Sequence, residues 1–191
     1  MEFDLRSIPP PGGHVQVYRA FRDLGVGELL TLVADRDLAE IRAQFERDFP
    51  RGFSWRDLES GPALWRVELV KTAKSALPQI VGNTRTLAAT SMDGTQVQWK
   101  IQVSDRDLDS NLIAVAPEGK VAAHPGPGID VLMIVVDGQG AVSTEIDEVE
   151  VEAGDLIWLP KHSRRAIRAG SAGLRYLTVH THKTGLQITR R

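Results

Sequence analysis

A chain of 191 residues with a formal net charge of −2 fits one medium domain or two small ones, and as a whole it does not attract nucleic acid or an anionic membrane. It has no Cys, which removes disulfides, thiolate metal sites and every cysteine nucleophile. Met1 to Pro10 carries acids without an apolar stretch, and no run reaches the length of a membrane span. The expectation is a cytoplasmic protein with no nucleic-acid or membrane partner.

Taken in chain order, Glu2–Arg6 reads as a short extended segment, and Pro9-Pro10-Pro11-Gly12-Gly13 breaks the chain. His14–Leu24 places Val15, Tyr18 and Phe21 near helical spacing, with Gly25 as its stop. Glu28–Ala34 is a buried strand. Asp37–Phe49 carries Leu38, Ile41, Phe45 and Phe49 on one helical stripe, which Pro50 closes. Phe53–Leu58 and Leu64–Val70 read as a closing pair of strands, in which Trp55 and Trp65 are expected to be structural. The order predicts a two-layer βαβαββ domain over residues 1–72. Residues 73–90, interrupted by Pro78, Gly82 and Asn83, read as a linker, and 91–191 has an all-β texture of short alternating runs between Gly, Pro and Asp turns.

Three stretches carry a resemblance in the first segment: Asp4-Leu5-Arg6-Ser7-Ile8-Pro9-Pro10, Gly27 through Asp35, and Phe53-Ser54-Trp55 followed by Gly61-Pro62 and Trp65-Arg66-Val67. Together they resemble an uncharacterised family related to the TusA/SirA sulfur carriers. The resemblance implies an α+β fold with a persulfide-forming Cys just before the Pro that opens the first helix. Pro9 stands in that place here, so thiol transfer is not expected. A segment without visible chemistry then suits a protein partner.

The second half, from about Asn111 to Thr184, resembles a small cupin barrel, the double-stranded β-helix or jelly roll. In the first motif Gly119 precedes His124, Gly126 stands at the second His position, Asp130 at the Glu position, and Gly138 closes one residue late. In the second, Gly154 and Pro160 keep the spacing, but His162, Arg165 and Ala169 stand where Gly, His and Asn are usual. The resemblance implies a degenerate metal site. One His and one Asp bind a divalent ion weakly, and a guanidinium has no lone pair to give. An inward Arg165 would repel the ion and pair with Asp130 in its stead. A relocated site is the alternative: His180 and His182 share a strand face and, with His124 and Asp130, would bind Fe, Zn, Ni or Mn. Otherwise they sit at the fraying or mouth-facing end of the last strand, or are packed and hydrogen-bonded.

Glu145, Asp147, Glu148, Glu150 and Glu152 alternate with Ile146, Val149 and Val151, as on the solvated face of a hairpin. Lys161, Arg164, Arg165 and Arg168 form either an ordinary turn or an anion-binding rim at the barrel mouth. Two functions compete. In the first, the protein binds a small, anionic ligand without a cofactor, as a binding or regulatory protein, through His124, Asp130, His162, Arg164 and Arg165. In the second, it is a metal-dependent dioxygenase or isomerase. Edge strands that need covering predict a homodimer.

Overall fold

On two paired strands Leu30, Leu32, Val67 and Leu69 are buried at every second position, and this period-2 pattern builds the first of two units, Met1–Gln79. The computed structural model describes residues 1–8, 12–104 and 106–182. The proline run at 9–11 and the end of the cupin-like stretch at Thr184 lie outside them.

The elements run β1 (Glu2–Asp4), α1 (Gly12–Asp23), β2 (Leu29–Ala34), α2 (Ala39–Asp48), β3 (Phe53–Ser60) and β4 (Trp65–Lys71). The sheet order is β1-β2-β4-β3, with β1 parallel to β2 and the other pairs antiparallel. α1 buries Gly13, Val17 and Phe21 at four-residue steps, and α2 buries Ile41 and Phe45. These meet the strand residues in one core, against which the partly buried Tyr18, Phe49, Phe53, Trp55 and Trp65 also pack. Lys71 is buried at the end of β4. Its Nζ donates to the carbonyls of Arg22 and Leu24, each at 2.7 Å, at the end of α1 where backbone acceptors lack helical partners. The same ammonium lies 5.6 Å from the centre of the Phe21 ring.

Unit two, Ile80–Arg191, is built on strands. They are β5 (Thr95–Lys100), β6 (Leu108–Val115), β7 (Lys120–Pro125), β8 (Val131–Ser143), β9 (Glu148–Glu152), β10 (Leu156–Leu159) and β11 (Arg164–Thr181), preceded by the short helix α3 (Thr84–Ala88). Two long strands organise it. The first part of β8 and the last part of β11 lie between β10 on one side and β6 and β5 on the other. Their remaining parts pair with each other between β9 and β7. The register between β8 and β11 shifts between Ala169 and Leu174. There Gly138 adopts φ +78°, and a Cβ on it would strike the carbonyl of Gly173, so the close crossing requires glycine. Side chains from both halves, among them Val131, Met133, Val142, Val151, Ile167 and Leu174, share one core.

The expected closed barrel is not what forms. Among the described residues the strand pairings make an open path that ends in β10, with four residues, and β5, with six, while β7 and β9 pair off it. The charges on β9 and the brevity of β10 make those edges poor templates for a further strand, which leaves the outer edge of β5. The segment 73–90, read as a linker, is divided between the units. Asn83, a chain breaker by its sequence context, instead caps α3 by accepting from the N–H groups of Arg85 and Thr86. The carbonyl of Thr90 accepts from Arg175, which is itself buried and bonded to Asp137 at 2.6 Å.

Candidate functional site

Two turns meet at one end of the second unit, between β7 and β8 and between β10 and β11. Gly126 N–H donates to the Ser163 carbonyl and His162 N–H to the Pro127 carbonyl, both at 2.9 Å. Lys161 N–H donates to Asp130 Oδ1 at 2.9 Å. This lacing holds His162 at φ +63°, a backbone region that a side chain with Cβ rarely enters.

Arg165, the second residue of β11, is carried inward here and is 6% exposed. Its Nη1 donates to Ser163 Oγ at 3.2 Å, and among the described residues no carboxylate forms an ion pair with it. Burial pulls its pKa down from the usual arginine range, with the neighbouring Tyr176 acting the other way. The Tyr176 phenol is pushed up to about 12 by burial, partly offset by the Arg165 charge. An arginine keeps its charge in proteins, and this guanidinium has one neutral hydrogen-bond partner among the described residues.

The expected Arg165–Asp130 pair does not form: Asp130 Oδ1 accepts from the Lys161 backbone N–H, and Arg165 donates to Ser163 instead. Of the five expected ligand-binding residues, His124, Asp130, His162 and Arg164 are exposed and Arg165 alone is buried. His124 faces Arg165 across the β7–β11 ladder, and its Nδ1 lies 2.9 Å from the Ala122 carbonyl. The basic cluster separates: Arg168 pairs with Glu148 at 3.2 Å and Glu150 at 3.9 Å, whereas Arg164 joins Arg165 on a cleft of about 490 Å³.

The alternative metal set is not assembled either. His124 lies beside the start of β11, whereas His180 and His182 lie at and beyond its far end, where His182 Nδ1 is 2.6 Å from Asp109 Oδ2. Arg106 also binds Asp109, and these contacts, the His182 hydrogen bond first, hold its carboxyl below the usual range. Among the described residues no group of three or more His, Cys, Asp or Glu is placed to hold a metal ion. At the position usual for a cupin metal the residues do not fit one. A Cβ on Gly126 would collide with Nη2 of Arg165, so the guanidinium occupies the room into which a His at 126 would project. A fixed positive charge there repels a cation.

Sequence reasoning missed the apolar wall of the cleft. Ile146 and Val149, which alternate with the acids read as the solvated face of a hairpin, are 92% and 44% exposed, and both line the cleft with Trp158, 66% exposed, and Leu159. The available signal was an isoleucine between Glu145 and Asp147, in a turn that gains nothing from an apolar side chain. A larger cleft of about 920 Å³ lies in the first unit beside α1. Its polar residues, Gln16, Arg19, Asp23 and Glu28, are all exposed, so it shows no comparable buried charge.

Among the described residues no helix is long and apolar enough to cross a membrane. No curated protein matches the chain. Among solved structures, a cupin superfamily protein from Desulfitobacterium hafniense is similar with TM-score 0.43 and 18% identity, over 56% of this chain and 95% of that one. A cupin-2 domain containing protein from Shewanella frigidimarina gives TM-score 0.40 and 14% identity, over 51% and 89%. A conserved protein of unknown function from Streptococcus pyogenes gives 0.41 and 18%, over 50% and 80%. The structural neighbours thus include cupin proteins, and residues 2–71 match the family described as "Uncharacterized conserved protein (DUF2249)".

Proposed function

We propose that the second unit is a binding module for a small anion, with Arg165 as the recognising charge, in a ligand-binding or regulatory protein rather than a metal-dependent dioxygenase or isomerase. One observation carries this reading: the Arg165 guanidinium is buried beside a cleft with a single neutral hydrogen-bond partner among the described residues. Withdrawing an unpaired cation from water costs several kcal/mol, and an anion entering the cleft offsets that cost with charge-assisted hydrogen bonds.

Calorimetric titration with a set of small anions at constant ionic strength tests it. The expected result is one-to-one binding that Arg165→Met weakens roughly 10- to 100-fold, as loss of hydrogen bonds to a charged group implies. About one equivalent of iron, zinc, nickel or manganese in the purified protein, lost in a His180→Ala/His182→Ala variant, would overturn it in favour of the enzyme. In this reading the first unit, without visible chemistry, docks a protein partner, and the chain works as a homodimer that covers its sheet edges.

A further inference from the structure

We infer that the anion is a small hydrophobic monocarboxylate, an inference that rests on the anion-binding reading above and narrows it. At one end of the cleft the Arg165 guanidinium donates to the Ser163 hydroxyl. With Nη1 given to Ser163, the other guanidinium hydrogens have no partner among the described residues. A planar fork of this kind matches the two oxygens of a carboxylate.

Much of the rest of the lining is apolar. Ile146, Val149, Trp158 and Leu159 wall it, and a volume of about 490 Å³ is that of a small-molecule site. Ile146 and Trp158 stand largely in water, at 92% and 66% exposure, so an apolar ligand body would remove surface that the protein leaves uncovered. Acetate would meet the charge and leave the wall wet.

Charge excludes the other common class. Glu145 and Asp147 also line the cleft, and Arg164 is the one further cation on it. Two acids against two guanidiniums leave no excess of positive charge for a phosphate dianion, whereas one carboxylate needs only Arg165. The wall selects the body and Arg165 selects the head.

The test is titration of the full chain, at fixed ionic strength, with octanoate, benzoate, acetate and inorganic phosphate, read by calorimetry and by tryptophan fluorescence. The same titrations are run on Arg165→Met, Trp158→Ala and Ile146→Ser. Octanoate or benzoate is expected to bind at least tenfold more tightly than acetate or phosphate and to change the emission of Trp158. Arg165→Met is expected to remove that binding, and Trp158→Ala or Ile146→Ser to weaken it several-fold while leaving acetate unaffected. Both wall residues are exposed, so these two variants test the cleft without threatening the core. Arg165-dependent binding of phosphate or acetate as tight as that of the hydrophobic acids would overturn this inference and leave the anion-binding reading standing. No Arg165-dependent binding of any of the four would overturn both.

Discussion

Each unit draws a cation out of water, and the two treat it differently. In the first, Lys71 is buried against the end of α1, where two carbonyls and an aromatic face receive it. In the second, Arg165 is buried as deeply and meets one hydroxyl. Arg175 shows that this unit can satisfy a buried guanidinium: Asp137, Gln98 and the Thr90 carbonyl surround it. A satisfied buried cation is a clamp between elements. An unsatisfied one beside a cleft is a standing preference for something absent.

The comparison is broken most strongly from the first unit. Trp65 packs on its core, and its ring lies so close to Gly61 that a Cβ there would strike it. Trp65→Ala is expected to lower stability by about 3 kcal/mol in urea unfolding followed by circular dichroism. If it leaves stability unchanged but abolishes binding of a partner, Trp65 is a recognition residue. Lys71→Ala should cost about 2 kcal/mol in the same measurement, because it removes two charge-assisted hydrogen bonds and leaves their acceptors poorly satisfied.

Tyr176 gives a pH-dependent version. Its folded pKa, about 12, stands above the ordinary phenol value. The stabilisation it confers is therefore complete below about pH 10 and is lost as pH rises toward the folded value, by up to roughly 2 kcal/mol. Urea midpoints measured across this range should fall more steeply for the native chain than for Tyr176→Phe. Smallest is the effect that separates the two cations. Arg165→Met should change stability by no more than about 1 kcal/mol, or raise it, because it trades an unpaired buried charge for an apolar side chain of similar reach. A loss comparable with that of Lys71→Ala would mean that Arg165 is a structural clamp after all.

The helices and strands of the first unit are legible in the sequence because each combines a clear period with punctuation: Ile41 and Phe45 before Pro50, Leu30 and Leu32 after Gly27. Asn83 is ambiguous because the same residue breaks a chain or caps a helix, and only the conformation of Thr84–Ala88 decides between them. At the site, motif spacing alone puts Arg165 near the mouth. It does not show that Asp130 is taken by a backbone N–H 31 residues away, since competition for one carboxylate depends on tertiary position. The His124, His180 and His182 grouping fails for a related reason. Pairing along β11 holds its two ends apart, and no count of intervening residues shows where β7 will dock.

The strand order also bears on how the protein is made. β11 is the final strand in the described chain, yet it is the partner through which β6 and β7 reach β8. During synthesis the first unit can complete its sheet once β4 has emerged. In the second, β5 can pair with β6, and β8 with β9 and β10, but those two groups and β7 are joined only by a segment translated after all of them. Until Arg164–Thr181 leaves the ribosome there is neither a finished core nor a buried Arg165, so the fold and the binding site of the second unit are expected to mature together, at the last step.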